Sequence, residues 1–219
     1  MKIQETIVSI TEEFESRAAE LIEAGRFIHA RGWVPATSGN FSARLSDGSI
    51  AITVSGKHKG ELVLGDIMRV DGEGQSLDGK KPSAETLLHT SLYRRYSWVQ
   101  SVLHPHSPNA TLVSRLFPNE LVLEDSELLK ALEGINTHET RVVVPIFPND
   151  QDIPRLSSRV DDYIDQHENE IYGYIIAGHG FYTWGLSVRE ALRHVEALEF
   201  LFDIETRLHG IKLIPLGSL

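Results

Sequence analysis

Two hydrophobic periodicities alternate along this chain, and that alternation constrains its fold more than any other feature. Stripes with steps of three and four residues mark helices, while short apolar runs mark strands. Phe14, Ala18, Leu21, Gly25 and Ile28 form the first helical stripe. Residues 35–40 then read as a turn or loop. Strands are expected over residues 49–54 and 67–70, closed by Ser55-Gly56 and Asp71-Gly72. Ser83 can cap a helix running to about residue 96, and the strand 99–103 follows it. A helix over 107–116 and a short strand over 121–123 come next. The Val142-Val143-Val144 run reads as a stronger strand that ends near Pro145. Leu156, Val160, Tyr163, Ile164 and His167 mark a further amphipathic helix, and 172–177 a buried strand. Ser187-Val188-Arg189-Glu190 has the form of a capping box. It opens a last helix whose buried stripe is Val188, Leu192, Val195, Leu198 and Phe202. This order predicts an α/β fold with a central mixed β-sheet covered by helices on both faces. No Gly/Ser/Pro-rich linker interrupts it, so residues 1–219 read as a single domain.

Composition narrows the function classes. The chain has 21 Lys and Arg against 31 Asp and Glu, a net charge of −10, which argues against nucleic acid as a partner. A lone phosphate group stays open, because backbone N–H groups can hold one. There is no cysteine, so disulfides, thiolate ligands and cysteine nucleophiles are excluded. Any metal must use His, Asp, Glu or water. No apolar stretch approaches the roughly 20 residues that span a bilayer. The N-terminus lacks a signal-peptide pattern, so a cytoplasmic protein is expected.

The chemistry concentrates in His104-Pro105-His106, just where the 99–103 strand ends. Residues two apart on a strand face the same side, so two imidazoles project together. His179 sits between two glycines just past the 172–177 strand and offers a third nitrogen. Three neutral nitrogens with an open position suit zinc, which could polarise a carbonyl or stabilise an enediolate. His29, His58, His167, His194 and His209 read instead as surface or helix-end residues. Two carboxylates are acid/base candidates: Glu85 in Ser83-Ala84-Glu85 and Glu127 in Ser126-Glu127-Leu128. Both lie near expected helix starts, where an acid is also favoured by the helix dipole, and spacing does not choose between them. Ser38-Gly39-Asn40 and Thr53-Val54-Ser55-Gly56 are turns of the kind whose backbone can bind phosphate.

Taken in order over nearly the whole chain, these motifs resemble the class II aldolase/adducin family. The resemblance implies a three-layer fold and one zinc ion held by His104, His106 and His179. It implies phosphate contacts at Gly39, Asn40, Ser55, Gly56 and Ser83, and a catalytic acid/base at Glu85. Residues 55–60, 134–139, 145–153 and 178–185 are similar to a branch of the family that dehydrates 5-methylthioribulose 1-phosphate in methionine salvage. That likeness matches Glu127, about twenty residues after the His pair, to a catalytic glutamate, allowing a one-residue gap. It makes Glu127 the expected principal acid/base, with Glu85 second. The alternative is a zinc-dependent sugar-phosphate aldolase, told apart by its cleavage products. A non-catalytic domain such as the adducin head would be expected to lack the histidines. The resemblance further implies a phosphorylated ketose as partner and a homo-oligomer, often a tetramer.

Overall fold

The computed structural model describes residues 2–167 and 171–212. Its helices are α1 (Lys2–Ala30), α2 (Thr86–Arg95), α3 (Pro108–Leu116), α4 (Ile153–Gln166) and α5 (Val188–Lys212). Its strands are β1 (Asn40–Arg44), β2 (Ile50–Thr53), β3 (Ile67–Val70), β4 (Ser101–His104), β5 (Glu120–Glu124), β6 (Arg141–Phe147), β7 (Gly173–Ile176) and β8 (Gly180–Gly185). The strands form one sheet in the order β3-β2-β1-β4-β8-β7-β6-β5. Neighbours are antiparallel except β6 and β7, which run parallel. This is the mixed sheet expected.

Side-chain alternation divides the interior into two layers. Phe41, Leu103, Ile175 and Phe181 face one side, against Ala18, Leu21 and Ile28 of α1, Val113 of α3 and Val195 and Phe202 of α5. Val102, Tyr174, Ile176, Tyr182 and Trp184 face the other, against Leu88 and Leu92 of α2 and Leu156 and Val160 of α4. Each Val, Leu, Ile or Phe among them contributes about 1.5–3 kcal/mol when fully buried. Caps set the helix starts. Ser107 Oγ accepts from the Ala110 amide at 3.1 Å, and Ser187 Oγ accepts from the Glu190 amide at 3.1 Å. Glu190 answers at the Leu186 amide, at 2.6 Å, one residue earlier than a standard capping box. No described helix is long and apolar enough to cross a membrane.

Three elements differ from expectation. β6 runs through Pro145 to Phe147. The Ile146 amide donates to Asn119, so Pro145 faces the other edge, where pairing with β7 begins only at Ile146. The absent N–H therefore costs no ladder bond. Strands β1 and β8 were not expected, although both are central. β1 carries a buried polar residue, Ser42, whose hydroxyl meets His89 and Tyr93 instead of water. β8 is bounded by glycines, and its buried Thr183 donates to the Tyr172 carbonyl at 2.6 Å.

Candidate metal centre and active site

The sheet order builds the site. β4 lies between β1 and β8, with Asn40 opposite His104. His106 follows two residues later, its amide donating to the Trp33 carbonyl at 2.9 Å. His179 sits in the turn from β7 to β8. The Phe181 amide donates to the Pro105 carbonyl at 3.1 Å, which clips this turn onto the His-Pro-His segment. Gly180 makes that approach possible. A Cβ there would fall on the Pro105 carbonyl oxygen and within 3.0 Å and 3.1 Å of the His104 and His106 rings. Gly39 is needed for a similar reason: its φ is +75°, and a Cβ would meet the His104 carbonyl oxygen at 2.7 Å.

Four side chains converge. One ligand atom from each of Glu85, His104, His106 and His179 lies within 4.8 Å of the others. Glu85 stands at the residue just before α2, where its side chain makes no capping hydrogen bond and instead reaches His179 Nε2 at 2.9 Å and His104 Nε2 at 3.5 Å. His104 Nδ1 donates to the Phe181 carbonyl at 2.8 Å, which leaves its Nε2 as a lone pair facing the cluster. His106 Nε2 lies 2.9 Å from that lone pair. His179 Nδ1 is buried without a protein partner. Burial pushes the His104 imidazolium down to about 3, against the opposite pull of Glu85. Burial, then the neighbouring imidazoles, push His106 down to about 2. Burial alone would raise the Glu85 carboxyl. The hydrogen bonds from His179 and the Asn40 amide, in the field of the surrounding imidazoles, outweigh it and hold Glu85 ionised, well below the usual carboxylate range. Neutral nitrogens crowded around a carboxylate, with two Nε2 atoms facing each other, are a donor set that fits a divalent metal ion.

A buried chain of hydrogen bonds holds Glu85 from behind. Asn40 Nδ2 donates to Glu85 Oε2 at 2.7 Å and to Ser83 Oγ at 3.4 Å. Asn40 Oδ1 accepts from His89 Nε2, and His89 Nδ1 accepts from the Ser42 hydroxyl at 2.7 Å. Ser42 and the Tyr93 hydroxyl lie 2.8 Å apart. Burial pushes His89 down to about 3, so it is neutral and orients the Asn40 amide. Sequence reasoning overlooked His89. Its spacing of four from Glu85, across the start of one helix, was the available signal. Tyr182 stacks on the His104 ring at 3.9 Å and fixes its plane.

Two cavities meet at the cluster. One, of about 280 Å³, is lined by Gly39, Asn40, Ser55, Gly56 and Ser83 together with Glu85 and His106. All five residues expected at a phosphate therefore line one cavity. The other, of about 210 Å³, is lined by Asn149, Asp150, Ile153 and Leu156 and shares Ser55, Ser83 and Glu85 with the first. The larger hollows of about 580 and 490 Å³, beside α5, contain none of these residues.

Glu127 is not brought to this cluster. It begins a 3-10 turn, Glu127–Ala131, with its side chain 74% exposed. It pairs with Lys130 at 2.6 Å and His138 at 3.8 Å. His194, expected at the surface or a helix end, is buried. Its Nδ1 donates to the Trp184 carbonyl at 2.8 Å and its Nε2 accepts from the Glu133 amide at 3.1 Å, so a core position satisfies both nitrogens.

Known proteins resemble this chain over most of its length. The pattern describing the Class II Aldolase and Adducin N-terminal domain matches residues 19–206. A methylthioribulose-1-phosphate dehydratase from Methylococcus capsulatus is 70% identical over 200 residues, covering 91% of this chain and 98% of that protein. YgbL from Escherichia coli superposes with a TM-score of 0.76 at 24% identity, covering 89% of this chain and 90% of the other. L-fuculose-1-phosphate aldolase from Thermus thermophilus superposes with a TM-score of 0.73 at 25% identity, covering 92% and 98%.

Proposed function

Because the chain belongs to the class II aldolase and adducin family, we propose that it dehydrates 5-methylthioribulose 1-phosphate to the corresponding 2,3-diketone. The observation that carries this reading is the ionised Glu85 carboxylate beside three imidazoles, at the junction of two cavities. In this reading His104, His106 and His179 hold a zinc ion. When bound there, zinc supplies Lewis acidity toward the ketone at C2, which makes the neighbouring C3 proton more acidic.

The chain's own residues perform the remaining steps. The turns at Gly39, Asn40, Ser55, Gly56 and Ser83 hold the phosphate on C1 and fix the register of the carbons beyond it. Glu85 takes the C3 proton. The electron pair forms the C3–C4 double bond as the C4–oxygen bond breaks, and Glu85 returns its proton to the departing hydroxyl, which leaves as water. The resulting enol takes a proton at C4 as its C3 hydroxyl gives one up, and becomes the diketone. The Asn40–His89 chain keeps the Glu85 carboxylate aimed through the cycle. The methylthio end extends toward Ile153 and Leu156 in the second cavity. Glu127 enters this reading only if a neighbouring copy, in the tetramer expected from the resemblance, delivers it to the site.

The test is turnover of 5-methylthioribulose 1-phosphate with products identified. The diketone phosphate supports the reading; cleavage to two smaller fragments replaces it with an aldolase. Glu85→Gln is expected to lose at least about 100-fold in kcat with zinc retained. His106→Ala is expected to lose the metal. Unchanged turnover in Glu127→Gln removes Glu127 from the chemistry.

A further inference from the structure

Lys59 is buried at the edge of the site with no role in the steps above. It is 1% exposed. Its ammonium donates to the Thr37 carbonyl at 3.0 Å and the Lys57 carbonyl at 2.6 Å. Among the described residues, its third N–H has no acceptor and no carboxylate lies within ion-pair distance. Burying an ammonium without a counter-ion is costly, so such a group signals a missing anion. Burial pushes Lys59 down to about 8, with Glu85 pulling the other way.

Its two acceptors locate that anion. Thr37 leads into the Ser38-Gly39-Asn40 turn, and Lys57 follows Ser55-Gly56. Both turns line the 280 Å³ cavity. Lys59 thus ties the two turns together by their carbonyls from behind the cavity wall. The charged side chain on that wall is the Glu85 carboxylate, which repels a phosphate. Of the nearby lysines, Lys57 Nζ pairs with Asp66 at 2.8 Å, Lys80 Nζ donates to the Gly65 and Ile67 carbonyls, and Lys81, whose carbonyl accepts from the Ser55 amide, is exposed to solvent, where its charge is screened. With a net charge of −10, the whole protein also disfavours an anionic ligand.

We propose that Lys59 is the buried counter-charge for the substrate's phosphate group, and that the same ammonium staples the two turns that cradle it. This rests on the reading that the substrate is a phosphorylated ketose. Lys59 acts as a positioning residue through the turns, and its charge offsets that of Glu85 when the phosphate enters.

The experiment uses the full-length, zinc-loaded protein and inorganic phosphate as the probe, with substrate kinetics alongside. Lys59→Gln keeps an uncharged donor, and Lys59→Arg keeps the charge. Lys59→Gln is expected to raise KM and the phosphate inhibition constant together, at least tenfold, with kcat within threefold and zinc content unchanged. Lys59→Arg is expected to recover most of the phosphate affinity. A Lys59→Gln protein with both constants within twofold of wild type overturns the proposal, as does a loss confined to kcat or zinc content. A second measurement needs no variant: in ¹³C-lysine spectra of the wild type, the lysine titrating near 8 is expected to move to higher pH as phosphate saturates. A signal that phosphate does not move also overturns it. Failure of the dehydratase reading is separable. Wild-type protein that binds phosphate in a Lys59-dependent way, without turning over 5-methylthioribulose 1-phosphate, refutes that reading and supports the role of Lys59.

Discussion

Lowering the pH of the metal-free protein from 7 to 5 should destabilise it chiefly through three buried histidines. His89, His104 and His106 are pushed to about 3, 3 and 2 in the fold, from an ordinary value of 6.5. Their folded values are depressed, so the unfolded chain binds more protons between pH 6.5 and 3. The stability they contribute is present above 6.5 and is lost as the pH falls through that window. Each histidine costs about 0.2 kcal/mol at pH 7 and about 2 kcal/mol at pH 5. These figures are insensitive to the folded values, because pH 5 still lies well above them. Together the three account for up to about 6 kcal/mol, comparable to the whole stability of an ordinary domain. Between pH 6 and 5 each adds about 1.2 kcal/mol to the slope. The assay is urea denaturation of metal-free protein at pH 7, 6 and 5, for wild type and His89→Gln. The variant should show a slope lower by about 1.2 kcal/mol per pH unit. A wild-type slope below about 1 kcal/mol per pH unit, or an unchanged slope in the variant, would show that these histidines are not held neutral.

Two further outcomes follow from the packing. Gly180→Ala puts a methyl group on the Pro105 carbonyl and against the His104 and His106 rings, so it should cost about 1–3 kcal/mol and lower occupancy of the proposed zinc site. Urea denaturation and metal analysis read both, and wild-type stability with full zinc would contradict the packing argument. Ile153→Ser should raise KM for the methylthio substrate about tenfold and leave inhibition by inorganic phosphate unchanged, because Ile153 lines only the second cavity. Equal effects on both constants would show that the two ends of the substrate do not use separate cavities.

The helices were legible because each carries its burial in a local stripe. Val188, Val195, Leu198 and Phe202 mark the inner face of α5 without reference to any other segment. β1 and β8 were not legible, because their burial depends on neighbours. Ser42 is tolerable at a central position only because His89 and Tyr93 meet its hydroxyl from α2. Pro145 misled in the same way: whether its absent N–H matters depends on where the partner strand begins.

By itself the sequence determined the alternation of helices and strands, the three imidazoles at strand ends and the turns fit for phosphate. Each of these is a short-range pattern. Only the tertiary structure decided what meets what. Glu85 and Glu127 both stand at helical starts, and no local rule separates them; the pairing of β1 with β4 sets Asn40 beside His104, Asn40 holds Glu85 there, and Glu127 is left exposed. His89 and Lys59 were overlooked for the same reason. Their significance is burial beside particular partners, and burial is set by how distant segments pack, which local spacing does not encode.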